Sequence, residues 1–262
     1  MTPDHDFGVC RLSVVPIWSE AREGFQLSQL LFGEVYEVIT TSKDRKRIQI
    51  KTNYDEVQGW IDAHHHVMVT PEYFVQATHA DFKITTDIVS TILYKKNPLP
   101  IVIGSIVPIS TSELFKLDHQ FAFNGEAKPI SQKRNGDFIE TIACRYLNAP
   151  QVAGGKSPFG ICAHGLVQMV FKICGYALPW SPEQQVMAGK KVEDTAHATK
   201  GDIAFFKDKS GQIIHTGIVL GDNKIIHASG HVRIDHLTEE GIVQQETKLR
   251  TFSLAFIRHL IS

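Results

Sequence analysis

Residues 154–168 read GGKSPFGICAHGLVQ. A glycine-rich loop runs into Cys162-Ala163-His164-Gly165 and then into the apolar LVQMVF. The loop therefore delivers a cysteine to the start of a helix. A helix N-terminus carries unsatisfied N–H groups and the positive end of the macrodipole, both of which stabilise a thiolate. Downstream, GLVQMVFKICGYALP (165–179) is apolar on one face and closed by Gly175. Upstream, FIETIACRYLNAP (138–150) has helical spacing and stops at Asn-Ala-Pro. Three strands follow in hairpin-like succession: KGDIAFFKD (200–208), IIHTGIVLGDN (213–223) and KIIHASGHVRIDHL (224–237), with Gly-Asp and Gly-Asp-Asn as turns. Helices first and antiparallel strands after predict an α+β domain over residues 131–262.

The first half has another texture. CRLSVVPIW (10–18), EVYEVITT (34–41), RIQIKT (47–52) and VQGWIDA (57–63) are short β-runs bounded by turn residues. They predict one small β-barrel over 8–70. IVSTILY (88–94), LPIVIGSIVPI (99–109) and HQFAFNG (119–125) predict a second over 78–130.

Composition narrows the function classes. A net charge of −1 over 262 residues leaves no electrostatic footprint for nucleic acid or an anionic membrane. No window approaches the ~18 apolar residues of a membrane span. The start, MTPDHDFGVC, has acidic residues where a secretory signal has a basic region and an apolar core. As given, the chain is expected to be cytoplasmic, or periplasmic or secreted if an N-terminal signal has been removed. Cys10, Cys144, Cys162 and Cys174 are scattered and expected as free thiols. His64-His65-His66 reads as a solvated loop, and no cofactor is expected.

His215 and His227 lie in adjacent strands with the turn GDNK between, so hairpin pairing can bring both imidazoles to one side. A thiol peptidase needs that: a cysteine, a histidine to take its proton and a third group to orient the histidine.

These motifs resemble the NlpC/p60 cell-wall cysteine peptidases, in particular the branch with two N-terminal bacterial SH3-like domains. The resemblance rests on GVCRLSVVPIW, QLLFGEVYEV and GWID in front, and on GGKSPFG, GLVQMVFK, GDIAFF, HTGIVLGD and IIHASGHVRID behind. It implies a papain-like α+β fold, a Cys-His-His triad and cleavage of γ-D-glutamyl–diamino acid bonds in murein peptides, which would be the partner of the site. His215 and His227 are then the two triad histidines. The substrate-facing positions implied are Gln151, His164, Trp180, Ser181 and Ser229.

The family pattern is G-x-D-C-S-G, and the flanks here fix the register without a gap. Cys162 then stands at the Asp position, Ala163 at the nucleophile position and His164 at the Ser position. The approach PYLWGG is here PQVAGG, with Gln151 and Ala153 replacing a Tyr and a Trp, and LPR is here LPW, with Trp180 followed by Ser181. Three readings follow. In the first, the chain is a catalytically inactive homologue kept as a binding or regulatory module for murein peptides. The alternative is an active cysteine endopeptidase with Cys162 as a register-shifted nucleophile. One residue along a helix turns a side chain by ~100°, which counts against it. The third is a metal site of Cys162, His164, His215 and His227, opposed by the divergence of helix neighbours two apart.

Overall fold

The computed structural model describes residues 6–79, 81–108 and 122–261. The chain divides into two compact units, one of residues 1–131 with 153–157 and one of residues 132–152 with 158–262. Among the described residues no helix is long and apolar enough to cross a membrane.

The first unit is built from short strands. Seven form one sheet in the order Gln26–Leu31, Val14–Trp18, Gln58–Asp62, Arg47–Thr52, Val35–Thr41, Phe7–Val9, Met68–Val69. The runs read as strands alternate in burial as β-structure requires: Arg47–Thr52 buries every second residue. The triple histidine is not uniformly solvated. His64 is exposed against Asp62, whereas His66 Nδ1 lies 3.1 Å from the Tyr36 hydroxyl. Helix α1 (Pro71–His79), which the strand pattern did not foreshadow, opens on a proline and buries Phe74 against Val9 and Val35.

Residues 83–129 add two three-stranded sheets. One has the order Asn97–Val102, Val89–Tyr94, Ala122–Asn124, the other Ile106–Val107, Lys83–Thr85, Ala127–Pro129. The end of LPIVIGSIVPI and the start of HQFAFNG lie outside the described residues, as does the MTPDH start. The two strand sets meet at Gly33. Its φ of +85° is left-handed, and a Cβ there would fall 1.9 Å from the Ile106 carbonyl oxygen. Phe32 next to it shares a buried cluster with Ile92, Ile101 and Val107.

The segment 153–157 is held within this unit by side chains. Gln26 Nε2 donates to the Ala153 carbonyl at 2.9 Å, and the Lys156 N–H donates to Gln29 Oε1 at 2.8 Å. The Lys156 ammonium is ion-paired with Asp55, and both side chains are 1% exposed.

The second unit has three helices and a closed sheet. Helix α2 (Gly136–Cys144) is capped by Asn135 Oδ1, which accepts from the Phe138 N–H at 3.2 Å. It ends a turn before Asn-Ala-Pro, and Asn148 then reverses the chain at φ +66°. Helix α3 (Ala163–Ile173) ends at Gly175, φ +84°, whose left-handed turn lets the Tyr176 N–H reach the Phe171 carbonyl. Helix α4 (Pro182–Gln185) is a single turn.

The sheet runs Lys190–Val192, Arg250–His259, Ile203–Lys207, Ile213–Gly221, Lys224–Ser229, His231–Thr238, Gly241–Val243. Gly241–Val243 pairs back onto Arg250–His259, so six strands close on themselves around Ala204, Phe206, Val219, Ile225, Leu237, Ile242 and Ile257. The run read as one strand over 224–237 is two. Gly230, at φ +74°, folds Ser229 against His231 in a tight hairpin. The strands Gly241–Val243 and Arg250–His259 were not foreseen.

Candidate active site

The turn Asp222-Asn223 has φ of +49° and +56°, the signature of a two-residue primed hairpin turn, and it fixes the register of the strands on either side. Gly217 then faces His227, which places His215 diagonally across from it on the same face. His215 Nε2 lies 2.8 Å from His227 Nδ1. The next hairpin repeats the move. Arg233 faces His227, and Asp235, two residues on, brings Oδ2 to 3.0 Å from His227 Nε2.

The chemistry of the partners assigns the protons. An ionised carboxylate only accepts, so His227 donates from Nε2, and in its neutral form it accepts at Nδ1. His215 then donates from Nε2 and keeps a lone pair on Nδ1. The Gln245 N–H and Arg233 also donate to Asp235 Oδ1, at 2.8 and 3.2 Å. Burial alone would raise the Asp235 carboxyl. The His227, Gln245 and Arg233 hydrogen bonds outweigh it and hold the group below the usual carboxylate range.

The His215 ring stacks on Phe252 with centroids 4.0 Å apart. Burial in this apolar slot, reinforced by His227, pushes its pKa down to about 3. The unfolded imidazole titrates near 6.5. Between those values the unfolded chain binds a proton that the native state refuses, so stability falls as pH drops from 6.5 towards 3. The depressed Asp235 carboxyl acts in the same direction lower in that range. Urea unfolding is expected to show a plateau above pH 7 and a loss of about 2 kcal/mol by pH 5 from His215 alone. In His215→Gln that slope should flatten. An unchanged slope would place the acid-sensitive group elsewhere.

Cys162 is the N-cap of α3, extended at φ −95° and ψ 166°, and its carbonyl accepts the first helical bond from the Leu166 N–H. The residue is buried, 6% exposed. Ala163, the first helical residue, is half-buried. Cys162 Sγ lies 3.3 Å from His164 Nε2. The expected divergence of side chains two apart does not operate, because it applies within a helix and Cys162 lies outside the helical conformation. The His164 ring meets the edge of Trp180 at 4.6 Å between centroids.

The remaining sequence candidates take other places. Gln151 Oε1 accepts from the Gly230 N–H at 2.7 Å, so this side-chain oxygen is spent on bracing the tight hairpin. Ser229 ends its strand opposite His231 beside that hairpin. Ser181 stands at the N-cap position of α4 without a side-chain capping bond, and its hydroxyl donates to Glu183 at 2.5 Å. Among the described residues no group of three or more His, Cys, Asp or Glu could hold a metal ion, so the four-residue metal set does not assemble. Sequence reading missed Asp235, although the strand alternation that pairs His215 with His227 also points to it. It missed Phe252 because the strand carrying it was not recognised.

The chain is 26% identical over 249 residues to a γ-D-glutamyl-L-lysine dipeptidyl-peptidase of Bacillus subtilis, covering 87% of this chain and 77% of that one. It is 38% identical over 114 residues to a γ-DL-glutamyl hydrolase of the same organism, but covers only 27% of it. The crystal structure of an NlpC/P60 family protein from Bacillus cereus superposes with a TM-score of 0.80 at 16% identity, over 98% of this chain and all of that one, which speaks for the fold. Residues 148–251 match the NlpC/P60 family.

Proposed function

We propose that the NlpC/P60 domain hydrolyses γ-glutamyl linkages of cell-wall peptides and that Cys162 is the reacting thiol. The reaction class is supported by relatives named for γ-glutamyl hydrolysis. They favour the active alternative over the inactive module that the loss of cysteine at position 163 suggests. The observation that selects the thiol is its 3.3 Å contact with His164 at the head of α3. Sγ passes its proton to His164 Nε2, and the thiolate attacks the γ-carbonyl carbon. The C–N bond breaks, the imidazolium proton goes to the leaving amine, and water then splits the thioester to return the thiol and a free γ-carboxyl. We read His215 and His227 as the two histidines that the resemblance implies, with the Asp235 carboxylate fixing the tautomer of His227. The strand-rich first unit we read as SH3-like barrels over 8–70 and 78–130.

A second reading draws on the burial of Cys162 beside the more accessible Ala163. There the groove binds such peptides without cutting them. Release of L-lysine from L-Ala-γ-D-Glu-L-Lys separates the two. The proposal expects turnover above a no-enzyme blank, abolished in Cys162→Ser. Blank-level release by the unsubstituted protein, with turnover appearing in Ala163→Cys, would replace it with the second.

A further inference from the structure

Gln185 is the last residue of α4 and is fully buried. Its Nε2 donates to two carbonyls: Pro179 at 2.9 Å, immediately before Trp180, and His164 at 3.2 Å, in the first turn of α3. Two acceptors on one side fix the amide orientation, since the flipped amide would set its oxygen against both carbonyls. Among the described residues Gln185 Oε1 is buried with no partner, so the side chain bears a desolvation cost to make this bridge. The bridge ties the loop that carries Trp180 to the turn that carries His164. Trp180 in turn meets the His164 imidazole edge-on, and that imidazole faces Cys162 Sγ.

We propose that Gln185 is a positioning residue that, through Trp180, holds the His164 imidazole against the Cys162 thiol and so sets the thiol's proton affinity. The proposal rests on the reading of Cys162 as the reacting group, but it concerns the ground-state Cys162–His164 pair and can be tested without substrate. The titratable neighbour of His164 from α4 is Glu183, which the substitutions below leave in place. Without the amide bridge, the loop of Trp180 is no longer tied to the first turn of α3, and the edge contact that orients the imidazole loosens. His164 would then spend less time at Sγ, and the thiol would titrate closer to an ordinary cysteine.

The experiment is the rate of iodoacetamide alkylation of Cys162 across pH 5–10, followed by mass spectrometry of the peptide that contains it. Gln185→Leu, Trp180→Ala and Trp180→Phe are compared with the parent protein. The parent is expected to show an inflection below that of a free thiol, and both Gln185→Leu and Trp180→Ala to move it upward by about one pH unit with an about tenfold slower rate at pH 7. Trp180→Phe, which keeps an aromatic edge, should restore most of the parent profile. A profile unmoved in both Gln185→Leu and Trp180→Ala overturns the proposal, and so does equal displacement in Trp180→Phe and Trp180→Ala. If Gln185→Leu does not fold, the two Trp180 variants decide. Displaced profiles in a protein without turnover would leave the positioning role standing and remove only the hydrolase reading.

Discussion

Asp55→Ala is expected to destabilise the chain by about 3–5 kcal/mol, the cost of removing one partner of a buried ion pair. The Asp55 and Lys156 side chains are each 1% exposed and directly paired. The carboxylate is further fixed by the Thr52 hydroxyl, which donates to Oδ1 at 2.5 Å and itself accepts from the Val57 N–H at 2.8 Å. Removing Asp55 takes a directly paired carboxylate from an ammonium that is shielded from water. The exposed Arg22–Asp44 pair offers the contrast, since solvent screens it and Asp44→Ala should leave the urea midpoint nearly unchanged. Replacing both partners, as in Asp55→Leu with Lys156→Met, should recover most of the loss, because a buried pair stabilises little more than an apolar pair of similar volume. Urea midpoints with unchanged slope are the measurement. A loss under about 1 kcal/mol in Asp55→Ala would mean that the ammonium finds water or another acceptor.

The second large effect is expected at Asp235. Its two carboxylate oxygens serve His227, the Gln245 N–H and Arg233, and it is 2% exposed. Asp235→Ala leaves the buried His227 Nε2–H without its acceptor and takes one from the half-buried Arg233 and the Gln245 N–H, which is expected to cost about 3 kcal/mol. It also releases the tautomer of His227 and, through it, of His215. Asp235→Asn keeps the shape and one acceptor oxygen, so it should cost roughly half as much. Equal losses in the two variants would show that packing, not hydrogen bonding, is what Asp235 supplies.

What could be read from residue order alone was whatever lies within one hairpin or one helix turn. The Gly-Asp-Asn turn sets the register of the strands around it, and that register alone puts His215 and His227 on one face. Gly175 closes α3 because only a left-handed residue can satisfy the last carbonyls there. The Asp55–Lys156 pair joins residues far apart in the chain, and a lone charged residue in a strand-and-loop sequence carries no mark of burial. Gln185 was invisible for the same reason: its two acceptors are backbone carbonyls, which every residue has. The Cys162–His164 contact was misread for a local reason. The helix begins at Ala163, so Cys162 keeps the extended backbone of a cap, and the helical geometry that would separate the two side chains starts one residue too late.

That contact leads to the most direct measurement. Cleavage after Lys156 and Lys172 isolates residues 157–172, a peptide in which Cys162 is the sole cysteine. The protein is mixed with an L-Ala-γ-D-Glu-L-Lys peptide, quenched in acid to preserve thioesters, and mapped by mass spectrometry. If Cys162 is the reacting thiol, this peptide carries the L-Ala-γ-D-Glu acyl group, and in Cys162→Ser it does not. An unmodified 157–172 peptide in the parent protein, with the acyl group appearing at position 163 in Ala163→Cys, would contradict the assignment.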